Sequence, residues 1–344
     1  MIKLLDPQNL HKWDEFIQKD PDGSVFHHSA WINVLTATYN YKPVLVVSEN
    51  SESGKIAGVM PFTYVDSPIT GSRLVSLPFT SYCELLMSDS EISASLDFVQ
   101  QSYKNIRYIE LKLPGNLDFR LDHYAQSKMF CTHILDLRAE LDDIFMSLHA
   151  TSVRQRIRRA ARNKLQFRIA EDEQELKNFY DLETGVRRKK GLPPPPYRFY
   201  YNIWKYLKPL GFFFLPVVEY ENKIIAAAIV LKFKNKFYLE YSASDGNYLK
   251  YSPNQLLIWK TIAMAHEQGA ESFDFGRSSL SNTSLIEFKE RWAAKRIPLA
   301  YYYYPKLIGN TEEGIVRKTV EIFNKHLPDF LLRLEGNLLY PHLG

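Results

Sequence analysis

Two apolar runs, KPVLVVSE at 42–49 and KIAGVMPFTYV at 55–65, flank the turn-forming segment Asn50-Ser51-Glu52-Ser53-Gly54. β-rich runs around such a turn predict a hairpin. The same grammar returns where FFLPVVEY (213–220) and KIIAAAIVLKF (223–233) flank Glu221-Asn222. Behind the first hairpin come a helical stretch near 91–104 and the strand RYIELKL (107–113). Behind the second come a helix at 253–267 and ESFDFGR (271–277). The matching order and spacing read as a duplicated α/β unit, with chance similarity between two α/β segments as the alternative. The boundary is expected near 136–150, where the strand-like CTHILDL (131–137) gives way to an acidic start and a helical pattern. This predicts an N-terminal domain over 1–137, a C-terminal domain over 138–305 and a helical tail over 306–344. Ile315, Val316, Val320, Ile322, Phe323 and Leu327 recur at helical spacing, so the tail is expected to pack back on the first domain.

The helix at 253–267 has the clearest punctuation. Ser252-Pro253-Asn254-Gln255 offers a hydroxyl at N-cap, proline at N1 and glutamine at N3, a capping box, and Gly269 supplies the stop. The chain therefore runs from the strand KFYLEYSASD (236–245) through the loop 246–251 to a helix N-terminus. Free N–H groups at such an end suit phosphate or carboxylate. An ordinary capped helix is the bland alternative.

Composition narrows the class. In 344 residues, 45% are hydrophobic and 24% charged, which is ordinary globular usage and excludes global disorder. A net charge of +4 is too small to argue for a nucleic-acid partner from overall electrostatics, so any anion site is local. Cys83 and Cys131 fit neither a secreted disulfide scaffold nor a zinc cluster, so no metal and a reducing, cytoplasmic setting are expected. No run approaches the roughly 18 apolar residues needed to span a bilayer, and membrane contact is at most peripheral. Tyr 22 and Phe 21 are abundant enough that some should line a binding surface.

Three clusters could carry chemistry. SVRQRIRRAARNKLQFR (152–168) holds Arg154, Arg156, Arg158, Arg159, Arg162, Lys164 and Arg168 without an acid. As a helix it places Arg154, Arg158 and Arg162 on one stripe, suited to gripping phosphates with guanidinium forks; a solvated basic face is the alternative. A second basic knot, Arg187-Arg188-Lys189-Lys190, precedes the stiff run Pro193–Pro196, a rigid loop. Finally, FDFGRSS (273–279) puts Arg277 and Ser278 at a strand's C-terminal edge, where open α/β sheets bind ligands. In SLIEFKERW (284–292), Leu285, Phe288 and Trp292 are expected as the buried stripe of a helix, with Lys289 on its flank. A lysine held at a pocket edge can steady developing oxyanion charge; a surface lysine is the alternative. The sequence has no P-loop, dinucleotide fingerprint, nucleophile elbow or zinc helix. Transfer of an already activated group is favoured over hydrolysis.

These segments, in order, resemble the FemAB-like branch of the GNAT acyltransferase superfamily over nearly the full length. The resemblance rests on VFHHSAWINVL (25–35), KIAGVMPFTYV, VSLPFTSY (75–82), RQRIRRAARNKLQF (154–167), LPPPPYRFYYNIW (192–204), SPNQLLIWKTI (252–262), FDFGRS and FKERW (288–292). It implies an α/β (α+β) fold of two tandem GNAT-like domains, each a mixed, mostly antiparallel sheet flanked by helices. It also implies an acyl- or aminoacyl-transferase acting on an amine or hydroxyl of a cell-envelope precursor of peptidoglycan or exopolysaccharide. Acyl-CoA or aminoacyl-tRNA is implied as co-substrate, with no tightly bound cofactor. The implied partners are a nucleotide- or lipid-linked precursor and tRNA, met by a monomer with peripheral contact at the inner membrane face.

Carried over by position, Phe288 and Lys289 match the Phe-Lys pair near the donor's reactive ester, and Tyr248 to Gln255 occupies the pyrophosphate-loop position. Lys289 is the expected oxyanion stabiliser, with Tyr241 and Glu240 as proton-transfer candidates. Tyr248, Lys250, Tyr251, Asn254 and Gln255 are expected at the donor. Arg154, Arg158, Arg277, Ser278 and Tyr82 are expected at the acceptor and phosphates. Two departures stand out: the loop 248–255 lacks the family's glycines, and Cys83-Glu84 replaces the usual glycine pair after Pro-Phe-x-x-Tyr. The competing expectation is a catalytically inactive module that binds an anionic glycan, tRNA or a membrane surface.

Overall fold

The computed structural model describes residues 1–115, 121, 123–305 and 321–344. The chain divides into two compact units. The first holds Met1–Phe130, the strand segment that follows Pro298, and Leu339–Gly344; the second holds Cys131–Ile297 and the described tail up to Leu338.

In the first unit, β1 (Ile2–Leu4), β2 (Lys42–Glu49), β3 (Ile56–Val65), β4 (Arg73–Val75) and β5 (Tyr108–Pro114) lie side by side. All neighbours are antiparallel except β4 and β5, and residues 299–304 close the order antiparallel to β5. Helices α1 (Leu10–Lys19), α2 (Ser29–Tyr39) and α3 (Asp89–Ser102) cover it. A capping box between Ser88 and Glu91 starts α3, which buries Ile92, Leu96 and Val99 at helical spacing. Those side chains meet the strand residues Val44, Val46, Met60, Phe62 and Leu111 in one core.

The second unit repeats that topology. It takes in β6 (Ala125–Asp136) from Cys131 onward, then α4 (Leu141–Ser147), α5 (Gln155–Arg162), β7 (Gln166–Ile169), α6 (Glu173–Lys190) and α7 (Tyr197–Leu207). The strands β8 (Phe213–Phe214), β9 (Pro216–Tyr220), β10 (Lys223–Phe233) and β11 (Lys236–Ser244) follow. Last come α8 (Pro253–Glu267), β12 (Ser272–Asp274), α9 (Thr283–Glu290) and α10 (Asp329–Leu339). The order β7-β9-β10-β11-β12-β6 is again antiparallel except at one pair, β11 with β12. The duplication expected from the two hairpins is thus present as strand order and direction. Ala226, Ala228 and Val230 of β10 face a core shared with Ile157 and Ala160 of α5 and Leu257 and Ile262 of α8. Helix α6 packs on the opposite side of β10 and β11, where alternate residues point.

The tail differs from expectation. Helix α10 belongs to the second unit: Arg333 pairs with Asp181 at 2.7 Å and Asp329 with Arg188 at 2.9 Å. A Cβ on Gly336 would collide with the Pro194 carbonyl, so the helix seats directly on the proline loop. Only the last residues serve the first unit, where Tyr41 Oη donates to the Pro341 carbonyl and Arg73 donates to those of His342 and Gly344. Side-chain ion pairs and a backbone contact, not apolar periodicity, decide this placement. Of the tail positions read as a helical stripe, Ile315, Val316 and Val320 lie outside the described residues. No helix of the described residues is long and apolar enough to cross a membrane.

Candidate active site

Strands β11 and β12 pair for only three residues, Lys236–Tyr238 with Ser272–Asp274, and then part. On the β11 side the register against β10 steps from Ile229–Tyr241 to Val230–Leu239, leaving Glu240 as the unopposed residue of a β-bulge. Bulges re-aim a side chain and interrupt pairing, a device common beside active sites. On the β12 side the chain turns at Gly276, in the left-handed region at φ 72°. Asp274 fixes that turn: its Oδ1 accepts from the Gly276 N–H at 2.7 Å and from Thr132 Oγ1 at 2.5 Å.

Lys289 closes the arrangement from α9, whose N-terminus is capped by the Asn282 side chain. Its Nζ donates to the carbonyl oxygens of Gly276 at 2.6 Å and Arg277 at 3.3 Å, and the side chain is buried. The buried positions of this segment are Ile286, Lys289 and Trp292 rather than Leu285, Phe288 and Trp292 as the spacing suggested. The helix ends at Glu290 and Ala293 turns at φ 58°, so Trp292 enters the core from beyond the last turn. Phe288 is left half-buried, edge-on to Trp292 at 6.4 Å.

Desolvation tunes both ionisable groups. Burial, helped by the Asp274 charge, pushes the Glu240 carboxyl up to about 8, while Lys289 and Arg277 oppose the rise. Burial pushes the Lys289 ammonium down to about 8, against the attractions of Asp274, Cys131 and Glu240. A carboxylate and an ammonium therefore change charge over the same pH range. His133 lies opposite Phe275, whose N–H donates to its carbonyl at 2.9 Å, and it is fully buried. Both of its ring nitrogens lack a hydrogen-bond partner among the described residues, as do Ser278 Oγ and Trp292 Nε1. Burial, then the Lys289 charge, depresses the His133 imidazole to about 4.

Residues 147–290 match the family model for an acetyltransferase (GNAT) domain. The chain is similar to the UDP-N-acetylmuramoylpentapeptide-lysine N(6)-alanyltransferase of Weissella viridescens, 22% identical over 320 residues that cover 84% of this chain and 90% of the relative. It is also 30% identical to the lipid II:glycine glycyltransferase of Staphylococcus epidermidis over 79 residues, 23% of this chain and 19% of that one. The crystal structure of FemX superposes with a TM-score of 0.68 at 15% identity, covering 93% of this chain and all of that one. The chain carries a GNAT domain and is similar along most of its length to a FemAB-like transferase.

The expected site residues of this GNAT-fold chain fall into separate groups. Lys289, Glu240 and Arg277 converge at the strand divergence, with Ser278 buried just beyond. Tyr241 sits next to the bulge, its ring edge-on to Tyr200 at 5.2 Å and Phe199 at 6.1 Å. Tyr248 and Tyr251 pack with Tyr220, the latter pair stacked at 4.9 Å, and Lys223 and Lys250 lie over the rings of Tyr248 and Tyr251. Gln255 is buried, and Asn254 Oδ1 is buried without a hydrogen-bond partner among the described residues. The capping box is absent: Ser252 is left-handed at φ 61°, makes no side-chain cap, and links the 3₁₀ turn Gly246–Tyr251 to α8.

Arg154 and Arg158 stand apart from that constellation. Arg154 donates to Met146 Sδ at 3.1 Å, and Arg158 is exposed over the Phe145 ring. Tyr82 belongs to the first unit, buried with Leu299 and Tyr301. Sequence reasoning missed Asp274, Thr132 and His133. The signal was there in polar residues set inside the apolar strands CTHILDL and SFDFG. A cleft of about 810 Å³ also went unforeseen, between α6 and the start of the 3₁₀ turn, where Arg168 bridges Glu175 and Glu219, both at 2.5 Å.

Proposed function

We propose that this protein transfers an aminoacyl group from an aminoacyl-tRNA to an amine of a cell-envelope precursor of the peptidoglycan type. The observation that carries the reading is the placing of Glu240 on the bulge within electrostatic reach of the buried Lys289, where β11 and β12 diverge. The relatives named above, which add an alanyl or a glycyl group to peptidoglycan precursors, support the substrate class.

In the proposed step the acceptor amine attacks the ester carbonyl carbon, forming the C–N bond while the carbonyl electron pair moves to oxygen. An ammonium carries three N–H donors, and Lys289 spends two on Gly276 and Arg277, leaving one for the oxyanion. Glu240, as carboxylate, takes the proton from the attacking nitrogen. Collapse of the intermediate breaks the C–O bond and expels the ester oxygen of the ribose, which takes the proton held by Glu240 and so restores the carboxylate. Approach and orientation supply the remaining acceleration.

The aromatic wall of Tyr220, Tyr248 and Tyr251 supports an RNA donor. It stands beside the helix start in place of a glycine loop, and flat rings flanked by Lys223 and Lys250 suit stacking of unpaired bases at the acceptor end of a tRNA. The test is single-turnover transfer from an alanyl- or glycyl-minihelix RNA to UDP-MurNAc-pentapeptide and to lipid II, with acetyl-CoA and a nucleotide sugar as the competing pair. Product from the RNA alone is the expected result. Product from acetyl-CoA alone would make the protein a CoA-dependent acyltransferase. Salt-dependent RNA binding with no product from any pair would leave an inactive binding module.

A further inference from the structure

Helix α5 shows solvent a face of one sign. Arg156, Arg158, Arg159, Arg162 and, just beyond the helix, Lys164 are exposed, while Ile157 and Ala160 are buried. At 100° per residue the four arginines fall within an arc of about 160° centred opposite Ile157. Of the cations in the segment 152–168, only Arg168 is ion-paired among the described residues, to Glu175 and Glu219. Like charges three and four residues apart destabilise a helix, and an anionic partner removes that repulsion.

The neighbours of this face indicate which anion. Strand β7 starts at Gln166, which pairs with Glu219, the residue before Tyr220. Helix α5 thus ends beside the tyrosine wall, with Lys164 and Arg162 two and four residues before that strand. Tyr220, Tyr248 and Tyr251 pack on the same core as Ile157 and Ala160, so wall and helix lie on one face of the sheet. Over the 8 residues of α5, a length of about 12 Å, the arginines lead away from the wall. Their face carries guanidinium groups and no aromatic ring or large apolar side chain. It offers forks for phosphates, not platforms for unpaired bases and not the apolar side that a helix needs to lie in a bilayer. A base-paired stem, whose bases already stack on one another, is the polyanion that suits it.

We infer that the outer face of α5 docks the base-paired stem of an RNA whose unpaired 3′ end lies on the tyrosine wall. The inference rests on the RNA-donor part of the reading above and adds the surface that holds the body of the donor. The test is binding of the full chain, over a salt series, to two RNAs without an aminoacyl group: a minihelix with a paired stem and an unpaired tail, and the same tail alone. The stem is expected to tighten binding with a steep salt dependence. Arg156→Gln/Arg159→Gln/Arg162→Gln, checked for folding by its thermal transition, should make that dependence shallower by about 3 in slope, one per arginine. The variant should bind the tail alone as wild type does. Three results would each overturn the inference: a stem that adds no affinity, a variant that binds the minihelix as wild type does, or anionic vesicles held through these arginines while RNA is ignored. Because binding needs no transfer, the two readings fail separately. Stem binding lost in the variant, in a protein that transfers nothing from an aminoacylated minihelix, removes the transferase reading and leaves the docking surface; transfer with stem binding untouched by the variant does the reverse.

Discussion

Lys289 and Asp274 hold the two sides of one peptide turn: the carbonyl of Gly276 accepts from the lysine while its N–H donates to the aspartate. The pair thus fixes the backbone that edges the strand divergence, and their charges bear on the same carboxyl, Glu240, in opposite directions.

Lys289→Met keeps the aliphatic stem and removes the ammonium. Loss of one oxyanion donor costs about 10²–10³ in turnover in comparable sites. The expected result in steady-state kinetics is a fall of that order in kcat with KM for both substrates nearly unchanged. A fall in KM-limited binding alone would assign the lysine to substrate binding instead.

The pH–rate profile should be narrow, rising as Glu240 loses its proton and falling as Lys289 loses its own, both near pH 8. The two limbs belong to the coupled pair rather than to either group. Asp274 raises both groups, so Asp274→Asn should move both limbs to lower pH together. Movement of one limb only would break the assignment.

His133 is held neutral in the core, with a folded pKa of about 4 against about 6.5 when unfolded. Below pH 6.5 the unfolded chain takes up a proton that the folded chain refuses, so stability is complete above that pH and declines as pH falls through the folded value. The loss amounts to at most about 3 kcal/mol. Denaturant titrations of wild type and His133→Phe between pH 7 and pH 4 should show the variant losing less.

Gly336 lets α10 lie on the proline loop, and any side chain there meets the Pro194 carbonyl. Gly336→Val should lower stability by about 1–3 kcal/mol, the usual cost of overpacking. Limited proteolysis should cut the variant's tail first while the rest of the second unit stays intact.

Tyr251 stacks on Tyr220 and carries Lys250 over its ring. Loss of one stacking platform costs about 1–3 kcal/mol per base. Tyr251→Ala should raise KM for a minihelix donor by about 5- to 150-fold and leave KM for the acceptor unchanged.

The duplicated architecture was legible along the chain, because hairpin, helix and strand are local patterns set by residue period and turn chemistry. The order KPVLVVSE–KIAGVMPFTYV–RYIELKL and its echo at 213–277 were enough. Also legible was the nature of the basic α5, since Ile157 and Ala160 must face inward when Arg156, Arg158 and Arg159 cannot. Tertiary structure alone decided the site. That Glu240 is a bulge residue depends on its register against β10, and that Lys289 is buried depends on where α9 stops, neither of which has a local period. The pairing of Asp274 with Thr132 joins residues 142 positions apart. The tail was likewise undecidable from apolar spacing, because α10 is fastened by Arg333, Asp329, the single buried Leu332 and a missing Cβ at Gly336 while Leu334 and Leu338 point away from the protein.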